Sequence, residues 1–236
     1  MLFLNTKTQN RSATLIQNKV GKSKFYTKEE ELANSLSHAV GILLGISGGY
    51  ILLATAIENG SGWAIGCVII YLFGMMASYI TSTWYHGCKH DQRKSMLRKC
   101  DHAAIYLHIA GTYVPFTLLV LRNEGAWGWS LFIFIWLAAI AGLILSFAKL
   151  KDHSNLETIC FVLMGCAILV AFKPLADALS ADGRIGALYL LIAGGVSYIV
   201  GALFYSWTKK KYMHTVFHFF VLGGSVCHMI AIYFLL

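Results

Sequence analysis

The chain has 236 residues, 57% of them hydrophobic and only 13% charged. A soluble domain carries about a quarter charged residues, so this composition, with a mean hydropathy of +0.63, excludes an ordinary water-soluble globule. The net charge of +8 raises nucleic acid as a partner, but the basic residues sit in short segments between long apolar runs. There they serve as topological signals, and no nucleic-acid partner is expected.

In chain order, residues 1–33 are polar and basic, a cytoplasmic tail that ends in a short helix start. The tail has no apolar h-region, so it is not read as a cleaved signal peptide. Thr27 followed by Glu30 has the spacing of a capping box, in which each residue satisfies an amide at the helix entrance. Residues 34–236 form the membrane domain, because crossing hydrocarbon takes roughly 20 mostly apolar residues. Seven such runs follow, at about 35–57, 63–86, 101–121, 127–148, 156–173, 185–207 and 214–236. Asn59, Gly60 and Gly62 break the first link, and Asn123, Glu124 and Gly125 the third. Pro115 should kink the third span, and Pro174 helps end the fifth.

Orientation follows from the distribution of Lys and Arg. With an odd number of spans, the tail and the loops after spans two, four and six share one side. Of 19 Lys and Arg, only Arg122, Lys173 and Arg184 fall on the other side. The expected fold is therefore an all-α integral membrane protein, a seven-transmembrane helix bundle with its N-terminus cytoplasmic and its C-terminus outside. Its expected place is the cell membrane, multi-pass. Trp63, Trp127 and Trp129 suit the outer interface. Glycines in the first and last spans permit close helix approach. Six cysteines without a CxxC pair give no disulfide framework.

Depth then groups the polar residues. Ser82 and His86 close the second span on one helical face, spaced i, i+4. Asp101 opens the third span and His214 and His218 open the seventh, all on the same side of the membrane. Two histidines at i, i+4 can present ring nitrogens to one cation. A third from another helix completes a three-histidine zinc site with its fourth position left to water. Asp101 would take or orient the proton of that water, and Ser82 would hydrogen-bond to the water or a reacting oxygen. The competing reading is a polar network that ties helix ends together. His38 is read either as a partner of a metal-bound ring or as a helix-end contact. His108 is read as lining a cavity or as a satisfied core histidine. His102 points about 100° away from Asp101, His228 lies too deep, and His90 and His153 fall in basic loops.

Three stretches also carry a family resemblance. They are Ser82-Thr83-Trp84-Tyr85-His86, Asp101-His102-Ala103-Ala104-Ile105-Tyr106 running to Gly111-Thr112-Tyr113-Val114-Pro115, and His214-Thr215-Val216-Phe217-His218. Together they resemble the signature stretches of the hemolysin III group of the progestin and adipoQ receptor family, over about residues 27–236. The resemblance implies a seven-helix bundle with zinc held near the cytoplasmic leaflet by His86, His214 and His218. It also implies Asp101 near the metal water and Ser82 as the serine of the Ser-x3-His motif. The wider superfamily contains alkaline ceramidases, so the first expectation is a zinc-dependent hydrolase of a lipid amide or ester, with membrane lipids around it and an acyl chain as substrate. Two alternatives stand beside it: a receptor-like or regulatory protein with structural zinc, and a pore-forming cytolysin.

Overall fold

In hydrocarbon a backbone amide finds no water, so an apolar segment must satisfy its own hydrogen bonds, and a helix does this within one segment. The computed structural model describes residues 26–148, 156–207 and 210–236. Tail residues Lys7, Arg11, Lys19, Lys22 and Lys24, the loop residues Lys149, Lys151 and His153, and Lys209 lie outside the described residues.

The helices are α1 Lys28–Glu58, α2 Gly62–Gly87, α3 Asp91–Pro115, α4 Trp127–Phe147, α5 Leu156–Cys166, α6 Phe172–Ala181, α7 Ile185–Ser206 and α8 Met213–Tyr233. A π turn and a 3-10 turn carry α3 on to Asn123. A 3-10 turn, Ala167–Ala171, joins α5 to α6. The result is seven helical stretches long and apolar enough to cross a membrane, and no strand among the described residues. The chain is a multi-pass membrane protein.

Local chemistry explains the helix ends. The Thr27 hydroxyl accepts from the Glu30 amide at 3.3 Å, and Glu30 accepts from the Thr27 amide at 2.9 Å, so the expected capping box is present. The other Glu30 oxygen accepts from the Tyr212 amide at 2.9 Å. That bond ties the start of α1 to the start of α8, where Tyr212 holds a left-handed φ of 61°. Pro174 does not end the fifth span. It lies in the first turn of α6, where a missing amide donor leaves no intrahelical bond unmade.

The third span is the hub: 78% of its apolar window is buried, against 17% for the fifth. It packs against α2 and α4, while α8 packs against α1 and α7. Close approach depends on glycine where α2 crosses α3, since a Cβ at Gly74 would lie 2.3 Å from the Leu107 carbonyl oxygen. At one end of the bundle the Arg122 guanidinium lies 4.4 Å over the Trp63 ring, which meets Trp129 edge-on. The start of α1, the end of α2 and the starts of α3 and α8 gather at the opposite end, and the histidines are there.

Candidate metal centre

His86 comes from the last turn of α2, and His214 and His218 from the first two turns of α8. His86 and His218 are buried, at 2% and 1% exposure. The Nε2 atom of His214 stands 3.1 Å from that of His86 and 3.0 Å from that of His218. The three ligand atoms all lie within 4.8 Å of one another.

The outward nitrogens decide what these short distances mean. The Nδ1–H of His86 donates to Glu31 Oε2 at 2.7 Å, and Glu31 Oε1 accepts from Lys94 Nζ at 2.7 Å. The Nδ1–H of His218 faces Ser37 Oγ at 2.9 Å and the Asn34 carbonyl at 3.1 Å. Ser37 spends its own proton on that same carbonyl at 2.9 Å, so it accepts from His218. With Nδ1 donating, a neutral imidazole keeps a lone pair on Nε2. Two lone pairs therefore point at His214 Nε2, which has at most one proton to give. Three converging nitrogens with one proton among them are poorly satisfied as a hydrogen-bond set and well satisfied by a cation. This arrangement can hold a metal ion, and the outward partners of His86 and His218 fix those two rings in the ligating tautomer, while His214 Nδ1 is buried without a partner.

The polar residues expected near the metal gather along one cavity. Asp101, Ser82, His38, His108, His214 and His218 all line a space of about 340 Å³. Asp101 and Ser82 are both buried, side by side. His38 bonds to none of the ligands. Its ring stacks on that of His218 at 3.5 Å and 13°, while Ser37, one position earlier, supplies the hydrogen bond. His108 sits deeper, edge-on to Tyr79 at 5.8 Å. His102, expected to point away, lines the cavity too: its Nδ1–H donates to Glu157 Oε2 at 2.6 Å, and Ser146 Oγ donates to Glu157 Oε1 at 2.8 Å.

Sequence reasoning missed Glu31, Asn34, Ser37, Glu157 and Tyr26. Glu31 stands in a run of three glutamates that reads as a helix start, and only contact with α2 reveals its second role. Tyr26 precedes the first span, and its ring covers His214 at 5.0 Å and His86 at 5.9 Å. Burial there pushes the Tyr26 hydroxyl well above the ordinary tyrosine value, so it stays a neutral phenol over the site.

The rest of the cavity wall is aliphatic and aromatic. Leu169, Ile192, Val196 and Ile199 line it and are also exposed on the outer surface of the bundle. The space thus opens sideways between the fifth span and α7.

Known proteins match along nearly all of this architecture. The family model described as "Haemolysin-III related" matches residues 26–229. "Hemolysin-3" of Bacillus cereus is 38% identical over 206 residues, 87% of this chain and 91% of that one. "Hemolysin-3 homolog" of Bacillus subtilis (strain 168) is 37% identical over 210 residues, 89% and 96% of the two chains. The human "Monocyte to macrophage differentiation factor" is 30% identical over 212 residues, 86% of this chain and 83% of that one. With its signature histidines gathered at one end of seven membrane-crossing helices, the chain belongs to the haemolysin-III related family.

Proposed function

We propose that the protein is a zinc-dependent hydrolase of a lipid amide or ester, with its site in the cytoplasmic leaflet. The observation that carries this reading is the convergence of three Nε2 atoms at the head of an apolar cavity. Their separations of 3.0 and 3.1 Å are close to the ~3.3 Å edge of a tetrahedron with Zn–N of about 2.0–2.1 Å. All-nitrogen ligation suits zinc among the common divalent cations. Zinc bound there supplies a water of pKa about 7 and a Lewis acid for a carbonyl.

The chain's own residues do the rest. The buried Asp101 carboxylate takes a proton at the cavity head and returns it to the leaving nitrogen or oxygen. The buried Ser82 hydroxyl, beside Asp101, donates to an oxygen of the bound lipid. The apolar wall holds the acyl chain and keeps bulk water away. The sideways opening lets a lipid enter from the bilayer without crossing an aqueous phase.

Purified protein should contain one zinc per chain, and His214→Ala with His218→Ala should remove it. Stoichiometric zinc in that double variant would overturn the ligand assignment. Asp101→Asn should retain zinc and lose turnover of ceramides and phospholipids. Intact turnover in Asp101→Asn would instead favour zinc as a structural element of a regulatory protein. The bacterial relatives are named hemolysin-3 and hemolysin-3 homolog, which favours a second reading, membrane lysis. Single-channel recording on reconstituted protein tests it, and absence of conductance would dismiss it.

A further inference from the structure

The deep end of the cavity contains polar groups that the hydrolytic reading does not use. His108 stands on α3, seven residues past Asp101, which by helical rise places it ~10 Å further into the bundle. His228 stands on α8, ten residues past His218 and so ~15 Å deeper. Both residues are about nine-tenths buried or more, at 6% exposure each, and both line the cavity with Tyr198 between them. Tyr198 meets His108 at 6.2 Å and His228 at 5.3 Å between ring centroids.

Their hydrogen bonds are incomplete in a specific way. The Nε2–H of His228 donates to the Leu191 carbonyl at 3.1 Å, so in the neutral ring Nδ1 is an acceptor, and it has no partner. His108 Nε2 has none either. The neighbouring phenols cannot help, because the Tyr79 and Tyr198 hydroxyls both bond to Ser225 Oγ, at 2.7 and 2.9 Å. A buried polar atom left unpaired costs on the order of 1–3 kcal/mol, and two on one cavity wall call for an occupant. A plain methylene chain offers them nothing. A ketone accepts and cannot donate to His228 Nδ1. A charged group would find no counter-charge among these rings. A hydroxyl both donates and accepts.

We propose that this pair of histidines is a hydroxyl-binding subsite, so that the protein selects lipids whose acyl chain carries a mid-chain hydroxyl group. The inference rests on the acyl-chain reading of the cavity. It adds that the chain lies head at the metal and middle at His108 and His228. The hydroxyl proton goes to His228 Nδ1, and its oxygen accepts from His108 Nε2–H.

The test uses binding and needs no turnover. Full-length protein in lipid nanodiscs is titrated with ricinoleic acid or oleic acid, which differ only by a mid-chain hydroxyl, by displacement of a fluorescent fatty acid. Ricinoleate should bind on the order of tenfold more tightly, about the difference one good buried hydrogen bond makes. The matching keto acid, which can accept from His108 Nε2–H and cannot donate to His228 Nδ1, should bind more weakly than ricinoleate. His228→Phe and His108→Phe should each bring the ricinoleate-to-oleate ratio close to one. Equal affinities in the wild type would overturn the proposal and assign the two nitrogens to buried water. A preference that survives both variants would overturn the assignment to these residues. The wild-type ratios decide the matter even if the variants fold poorly. Protein that prefers ricinoleate and cleaves no lipid would lose the hydrolase reading and keep the subsite. Protein that cleaves lipids without the preference would do the reverse.

Discussion

The bond from His86 Nδ1 to Glu31 orients one of the three rings of the candidate metal site. The two side chains come from helices that start and end at the same layer, and their 2.7 Å contact fixes His86 with its Nε2 lone pair inward. Removing such a partner typically costs 10–100-fold in metal affinity. Glu31→Ala should therefore weaken zinc binding by about that factor, measured by chelator competition, with the fold intact by circular dichroism. Unchanged affinity would show that the ring is held by packing alone. Ser37→Ala should act more mildly, because the Asn34 carbonyl remains 3.1 Å from His218 Nδ1. At this scale the sequence exposes the ligands and hides their supports. His214 and His218 share a face by spacing, and His86 matches them in depth. Glu31 and Ser37 lie 55 and 181 residues from the histidines they orient, and no periodicity signals a contact across that separation.

At the scale of elements, the tight crossing of α2 and α3 sets how near Ser82 and Asp101 can come to one cavity. Gly74 makes that crossing possible, with a Leu107 carbonyl oxygen where its Cβ would be. Backbone cannot rotate aside as a side chain can, so Gly74→Ala should destabilise the bundle by roughly 1–3 kcal/mol, the usual cost of overpacking. Gly66, on the same helix, has no atom within 4 Å of its would-be Cβ. Gly66→Ala should be neutral or stabilising by up to ~1 kcal/mol through helix propensity. Thermal unfolding in one detergent would compare the two, and equal shifts would refute the crossing argument. The irregular turns were only partly legible. A proline at position 115 announces a disturbance, and the third span indeed passes into a π turn there, where the Thr117 hydroxyl donates to the Tyr113 carbonyl at 2.9 Å. The 3-10 turn at Ala167–Ala171 has no proline or glycine within it to announce it.

For the whole molecule, the charge distribution bears on which compartment the histidine cluster faces. Both ends of the bundle are defined by the fold, but only charge distinguishes them. Lys28, Lys89, Arg93, Lys94, Arg98, Lys99, Lys210 and Lys211 lie at the histidine end, while Arg122, Lys173 and Arg184 lie at the other. Translocating basic loops is disfavoured, so the histidine end should remain cytoplasmic. The chain provides its own reporter in Cys88, which caps α2 at that end as a partly exposed free thiol. A variant that keeps Cys88 as its single cysteine should resist a membrane-impermeant maleimide in intact cells and react once the cells are permeabilised. A second variant, free of native cysteines and carrying Asn59→Cys at the opposite end, should react in intact cells. The reverse pattern would invert the topology and place the site on the outer leaflet. The histidine cluster, its supports and the cavity would be untouched by that inversion, since they depend on which helix ends meet. Under the proposed lipid hydrolysis, what would change is the pool of lipid that the sideways opening could draw from. The two leaflets differ in composition, so this labelling result limits the candidate substrates more than any refinement of the metal geometry.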